Sequence, residues 1–282
     1  MRLPILLLAS FCACVAGAAE PQGVLKKIKA AKTIALGYSE SAVPFSFIGK
    51  DGRPQGYSVD LCARIAEGIQ KQLGLAELAI KWVKVDVATR IPAVLKGRVD
   101  LECGTTTHTL TRAALVDFSN MIFADGGSFL SKTRAKIAAI KDLDGKRVGV
   151  IPGTTTEKAL KAALDQARVK AELVPVRIHA DGVSALREDK VDAYASDRTI
   201  LFGLVSGAID AASYALSDEM FSYEPYGLVM RRDADFRLAV DRELARVYRS
   251  GEITEIYGRW YGALGGPSTL LKAMYFLNAL PE

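Results

Sequence analysis

The segment 102–112 combines side chains that could bind a charged small molecule. It reads ECGTTTHTLTR, so three consecutive threonines follow a glycine and an arginine closes the segment. Just before it, residues 96–101 (KGRVDL) have the pattern of a turn followed by an apolar strand. Hydroxyl groups beyond a strand end are available for hydrogen bonds, and the planar guanidinium of Arg112 suits a carboxylate. The segment therefore predicts an anion-binding site.

A second hydroxyl-rich loop, Gly153-Thr-Thr-Thr-Glu157, follows the predicted strand 147–151 and opens a helix. Free amides and the helix dipole make such a position suitable for an anion. Helix capping is the simpler interpretation, since Thr154 followed by Glu157 fits a capping box. However, both loops follow parallel strands, and open α/β sheets bind ligands outside those strand ends. The pair of loops therefore favours a shared binding cleft over two unrelated caps.

Catalytic, metal-binding and nucleic-acid-binding signatures are missing from the sequence. It contains no G-x-S-x-G, H-E-x-x-H or G-x-x-x-x-G-K-[ST] motif. With only His108 and His179, and no cysteine pair at metal-ligand spacing, we expect no metal or cofactor. The net charge is +5 without a basic cluster among aromatics, which argues against nucleic acid as a partner. A mildly positive balance suits an anionic small ligand.

The elements that must position these loops alternate between strands and helices. The pattern predicts strands at 33–38, 79–83, 99–103, 147–151, 171–176, 192–196 and 224–230, a hairpin at 45–57, and helices at 24–32, 57–73, 90–96, 153–167, 182–188, 235–248 and 251–260. Such alternation indicates mostly parallel sheets flanked by helices. We expect a first lobe from 24–124, a second from 125–224, and a return to the first over 225–282. The two crossings are predicted near 122–130 and 222–228.

The first residues have the composition of a secretory signal peptide. Met1-Arg2 supplies a positive start, residues 3–15 are apolar, and Gly17-Ala-Ala19 offers a cleavage site. A lipoprotein leader with Cys12 as the modified residue is the alternative, but Phe11 stands where a small residue is needed. We therefore expect residues 1–19 to be cleaved and the mature chain to reside in the periplasm.

Two cysteines remain in the mature chain, Cys62 and Cys103. An oxidising compartment permits a disulfide between them. Two buried thiols that behave as small hydrophobic side chains are an equally good interpretation. The sequence leaves this choice open.

Several stretches are similar to periplasmic glutamate/aspartate-binding proteins, the solute receptors of polar amino acid ABC transporters. The first stretch is RIPAVLKGRVDLECGTTTHTLTR, followed by Asp117-Phe-Ser; the others are VPFSF at 43–47, GYSVDLC at 56–62, DGKRVGV at 144–150, GTTTE at 153–157, DAYASD at 192–197 and the closing Trp260-Tyr. They span nearly the whole mature chain in one order. The resemblance implies a type II periplasmic binding protein fold, with two α/β lobes joined by two hinge crossings.

The resemblance also implies roles for individual residues. The ligand α-carboxylate is expected on Arg112, while Thr107 would offer its hydroxyl and Thr105 its backbone groups to the α-carboxylate and the α-ammonium group. Thr106 is expected to point into the lobe. From the second lobe, Thr154 and the neighbouring amides are expected to bind the α-carboxylate, and Asp197 is expected to pair with the ammonium group. The side-chain carboxylate of the ligand is expected to face Arg90 and His179.

Two positions depart from the acidic-residue binders. Where they carry an arginine after the first strand, this chain has Ser39, and a further family serine is replaced by Val87. The expected pocket loses one cation and one hydroxyl at its side-chain end. A larger or less charged ligand side chain could occupy that space.

The resulting hypothesis is a non-catalytic, monomeric receptor that closes on a polar or acidic amino acid and presents it to an inner-membrane ABC permease. Glutamate or aspartate is the expected ligand; another amino acid or a small dicarboxylate is the alternative within that class. The alternative from another class is an exported enzyme on the same fold, similar to the cyclohexadienyl dehydratases. Such an enzyme would need a general acid or base, for which His179 or Glu40 is available.

Overall fold

The computed structural model describes residues 20–206, 210–262 and 265–282, so the expected leader at 1–19 lies outside the described residues. The helices are α1 (Gly23–Ala31), α2 (Tyr57–Gln72), α3 (Arg90–Leu95), α4 (Leu110–Ala113), α5 (Thr155–Ala167), α6 (His179–Arg187), α7 (Arg198–Val205), α8 (Ala234–Arg249), α9 (Glu252–Tyr261) and α10 (Thr269–Asn278). The strands are β1 (Thr33–Tyr38), β2 (Ser41–Ala42), β3 (Ser46–Ile48), β4 (Pro54–Gln55), β5 (Ala79–Lys84), β6 (Leu101–Glu102), β7 (Asp117–Asp125), β8 (Gly127–Lys132), β9 (Arg147–Val150), β10 (Glu172–Pro175), β11 (Ala193–Asp197), β12 (Tyr214–Leu216) and β13 (Glu224–Met230).

The strands form two five-stranded sheets and a small three-stranded one. The first sheet has the order β5-β1-β6-β13-β7, and the second has the order β10-β9-β11-β8-β12. In each, three neighbouring strands pair in parallel, the fourth strand runs in the opposite direction, and the fifth pairs antiparallel with the fourth. The small sheet β2-β3-β4 includes the predicted hairpin, where Gly52 in the turn has φ +76°, a conformation that favours glycine.

The chain crosses between the two large sheets twice. It leaves the first sheet at the end of β7, Asp125, and enters the second at Gly127. It returns through 217–223, and Glu224 then pairs with Asp125 in the first sheet. The crossings contact each other, because the amide of Gly127 donates to Ser222 Oγ at 2.8 Å. This arrangement is the predicted two-lobed fold with two crossings.

Each lobe buries its own apolar core. In the first lobe, aromatic rings pack edge to face around Phe45, which is fully buried and lies 4.8 Å from Phe123 between ring centroids. In the second, residues such as Phe129, Leu160 and Tyr194 are fully buried between the sheet and its helices. The two cores are separate except where α7 of the second lobe packs Ile200 and Leu204 against the first core.

A disulfide joins Cys62 in α2 to Cys103, directly after β6. The cysteine question that the sequence left open is therefore answered in favour of a cross-link in the first lobe. The bond holds the helix against the strand end from which the threonine-rich loop emerges. Among the described residues, none of the helices is long and apolar enough to span a membrane.

Candidate functional site

The two hydroxyl-rich loops meet between the lobes, where two small adjoining cavities of about 20 Å³ each lie. Both cavities are lined by Val87, Arg90, Thr105 and His179, so they form one continuous site. The loop after β6 comes from the first lobe and the loop after β9 from the second. Parallel strands place their carboxyl ends at one edge of a sheet, and the two sheets turn those edges toward each other.

Seven of the eight side chains singled out in the sequence line these cavities. They are Ser39, Arg90, Thr105, Thr107, Thr154, His179 and Asp197. The eighth, Arg112, lies behind the first loop and donates from one guanidinium nitrogen to the carbonyl of Thr107 at 2.9 Å. Burial, with the nearby charge of Arg90, lowers the pKa of Arg112 to about 10. Through its bond to Thr107, Arg112 holds the 104–107 loop with one edge of its guanidinium group.

Arg90 is the buried cation of the site. It begins α3 and is 8% exposed, and its Nε has no hydrogen-bond partner among the described residues. A buried charged donor without a partner is costly, whereas a ligand oxygen would satisfy it. Arg90 lines both cavities, so it can reach a ligand at the side-chain end of the site.

A buried acid, Glu102, lies beside Arg90 at the end of β6. Burial raises the pKa of Glu102, while the charge of Arg90 and a hydrogen bond from Thr106 oppose that rise. The Thr106 hydroxyl donates to Glu102 at 2.8 Å and is fully buried, as expected for a threonine that points into the lobe. The sequence analysis did not name Glu102 as a site residue, although a charged residue within the predicted apolar strand 99–103 was a signal for one.

The loop of the second lobe performs the capping function that its sequence indicates. Thr154 Oγ1 accepts from the Glu157 amide at 3.0 Å and donates to the Ile151 carbonyl at 2.8 Å. Glu157 reaches back to the Gly153 amide at 2.8 Å. Because the Thr154 hydroxyl and the Glu157 amide are committed to these bonds, the groups left for an anion are the amides of Thr155 and Thr156, which lack acceptors within the helix.

Asp197 is the last residue of β11 and lines the same cavity as Thr107 and Thr154. It accepts a hydrogen bond from Thr156 Oγ1 at 2.7 Å and another from the hydroxyl of Tyr226, which belongs to the other lobe. Burial raises the pKa of Asp197, and the nearby carboxylate of Glu224 raises it further. Sequence reasoning did not identify Tyr226 or Glu224 as part of the site.

His179 begins α6, and its Nδ1 lies 2.8 Å from the Tyr194 hydroxyl and 3.3 Å from Ser196 Oγ. Burial and the charge of Arg90 lower its pKa to about 4, so the ring is neutral at pH 7. When either hydroxyl donates to Nδ1, the ring proton lies on Nε2. The role expected from the sequence required an imidazolium; the structure instead offers a neutral N–H donor.

Ser39 and Val87 line the cavity at the side-chain end together with Arg90 and Glu102. The Ser39 amide donates to Ser46 Oγ at 2.9 Å, which holds the end of β1 against β3. The position where the acidic-residue binders are expected to carry an arginine is therefore occupied by the smaller side chain of Ser39. Among the residues that line this cavity, Arg90 is the permanently charged cation.

Comparisons with known proteins agree with this geometry. Residues 34–263 match the family of bacterial extracellular solute-binding proteins, family 3. The chain is 37% identical over 244 residues to an L-glutamate/L-aspartate-binding protein of Pseudomonas aeruginosa, covering 86% of this chain and 81% of the relative. It is 30% identical over 238 residues to the glutamate/aspartate import solute-binding protein of Escherichia coli, covering 84% of this chain and 79% of the relative.

A solved structure is also similar. An ancestral amino acid-binding protein, described as a precursor of cyclohexadienyl dehydratase, superposes with a TM-score of 0.73 at 27% identity, over 85% of this chain and 100% of that chain. The matched range includes both lobes, both crossings and each predicted site residue. The chain therefore belongs to the bacterial extracellular solute-binding proteins of family 3.

Proposed function

We propose that this protein is the periplasmic receptor of an amino acid ABC importer, that it binds an acidic amino acid between its lobes, and that it presents the closed form to a membrane permease. The observation that carries the proposal is Arg90, a buried cation whose Nε lacks a partner among the described residues and which lies in the interlobe site. The glutamate/aspartate-binding relatives support the choice of ligand.

The site contains complementary groups for each part of such a ligand. Asp197 suits the α-ammonium group, and the amides of Thr155 and Thr156 suit the α-carboxylate. We further propose that the guanidinium nitrogens of Arg112 not bonded to Thr107 turn toward that carboxylate when the ligand binds. Arg90 and the Nε2–H of His179 can both donate to a side-chain carboxylate. The ligand would thus contact both lobes at once.

Contacts from both lobes imply that binding is coupled to closure. We place the division between the lobes at the crossings, near Asp125 and Glu224, where the chain changes sheet. Two adjacent crossings allow a hinge motion while each core stays intact. The ligand stabilises the closed form because it binds groups that are brought together only in that form.

Calorimetry of the mature protein against the twenty amino acids and a set of small dicarboxylates tests the proposal. Glutamate or aspartate should bind most tightly, with glutamine weaker because it brings no carboxylate to Arg90. An Arg90→Met variant should lose affinity for the acidic ligands more than for glutamine. Absence of binding to any amino acid by the folded protein would contradict the proposal.

An enzymatic function is the second candidate, since one similar structure is a precursor of cyclohexadienyl dehydratase. Asp197, a buried acid in the site whose pKa burial raises, is available as a general acid. Of the two residues considered from the sequence, His179 lines the site, whereas Glu40 pairs with Lys84 at 2.6 Å. Incubation with arogenate or prephenate, followed by product analysis, distinguishes the two functions; turnover would favour the enzyme.

A further inference from the structure

Glu224 lies behind the amino end of the site and does not line either cavity. It begins β13, directly after the second crossing, and is 1% exposed. One of its carboxylate oxygens accepts hydrogen bonds from Thr107 Oγ1 and Thr155 Oγ1, each at 2.6 Å. The other accepts from Ser222 Oγ at 2.7 Å. One side chain thus joins the first lobe, the second lobe and the crossing.

The distances determine where the threonine protons lie. Thr107 Oγ1 and Thr155 Oγ1 are also 3.0 Å from each other. The two hydroxyl groups therefore have two protons for three contacts: the one between them and the one that each makes with Glu224. A carboxylate only accepts hydrogen bonds, so each threonine donates its hydroxyl proton to Glu224, which is also its shorter contact. Both threonine oxygens therefore offer only lone pairs to a bound molecule.

Both threonines line the same cavity as Asp197. Lone pairs on Thr107 and Thr155, next to the Asp197 carboxylate, make this end of the cavity an acceptor for a cation. An α-ammonium group, which has three donors and no acceptor, matches such a set. A carboxylate in the same place would meet oxygen lone pairs without protons.

We propose that Glu224 is a positioning residue for amino acid recognition: it fixes the Thr107 and Thr155 hydroxyls as hydrogen-bond acceptors for the ligand's α-ammonium group and joins the two lobes behind it. This inference rests on the proposed function, because it assumes an amino acid in the site. Glu224 acts through the two threonines and has no contact of its own with the ligand.

The test compares L-glutamate with glutarate, which has the same two carboxylates and no ammonium group. Calorimetry should show that the wild type prefers glutamate. Glu224→Ala should reduce this preference roughly 10- to 100-fold, the range that corresponds to a hydrogen bond to a charged group. Glu224→Gln should be intermediate, because its amide oxygen can still accept from the threonines. A purely structural role would weaken both ligands equally.

Two further variants make the test independent of the folding of Glu224→Ala. Thr155→Val should reduce the preference in the wild-type background, have a smaller effect in Glu224→Gln, and have no added effect in Glu224→Ala. Ser222→Ala is the matched control, since it removes a bond to Glu224 but leaves both threonine contacts, and its preference should stay near that of the wild type.

The outcomes separate this inference from the proposed function. If the wild type binds glutamate and the ratio of the two affinities is unchanged in Glu224→Gln and Thr155→Val, the inference is overturned while the receptor function stands. If the folded wild type binds no amino acid, the proposed function fails, and the inference fails with it.

Discussion

Reduction of the Cys62–Cys103 disulfide should destabilise the first lobe by a predictable amount. The two cysteines are separated by 41 positions in sequence. A cross-link stabilises a protein mainly because it restricts the unfolded chain, and the loop-closure relation gives about 13 cal/mol/K for a loop of this length, or about 4 kcal/mol at 25 °C. For a protein of this size that corresponds to a decrease of about 8–16 °C in melting temperature.

The measurement is thermal and urea unfolding of the mature protein with and without reductant. The Cys62→Ser/Cys103→Ser variant should have the melting temperature of the reduced wild type and should not respond to reductant, which controls for effects of the reductant elsewhere. An unchanged unfolding free energy on confirmed reduction would refute the reasoning, as would two free thiols in the protein purified under oxidising conditions.

Ligand binding should respond much less than stability. Cys103 directly precedes the 104–107 loop, but the Ser58 hydroxyl also holds that loop through a bond to the Gly104 carbonyl at 2.9 Å. We therefore expect the reduced, still folded protein to bind its ligand within roughly threefold of the oxidised protein, which is less than 1 kcal/mol. Loss of binding without unfolding would show that the disulfide itself positions the loop.

Three other predictions concern the ligand. Arg112→Ala should weaken binding by roughly 30-fold or more, since loss of one partner of a buried charge pair costs about 2–5 kcal/mol; Arg112→Lys should also weaken it, and wild-type affinity in both folded variants would remove Arg112 from the site. Saturating glutamate should reduce the radius of gyration in solution scattering and raise the melting temperature; an unchanged profile at confirmed occupancy would contradict closure. A bound carboxylate should raise the pKa of His179 above its free value of about 4, so the ratio of glutamate to glutamine affinity should increase as pH falls through the bound-state pKa. Any effect of Asp197 is common to both ligands and cancels in this ratio. Glu102 lines the same end of the site and its pKa is raised by burial, so the contribution of His179 is the part of the pH dependence that His179→Gln removes.

Much of the fold could be predicted because it depends on local patterns. The strand 33–38 and the hairpin around Gly52 follow from alternation and turn residues within a few positions. The cap at Thr154 is likewise local, since its partner Glu157 is three residues away. The sequence analysis predicted no strand at β7 or β8, which lie on either side of the first crossing. The two strands are separated by one residue, so no turn signal marks where one ends and the other begins.

The sequence by itself determined the class of site: two hydroxyl-rich loops at strand ends, with arginines for an anion, between two lobes. Only the tertiary structure decided the pairing of Cys62 with Cys103 and the contact of Glu224 with threonines 117 and 69 positions away. It also decided that His179 is neutral at pH 7, because its pKa is set by burial and by Arg90. Such properties depend on which distant residues exclude water from a group, and local sequence patterns carry no information about that.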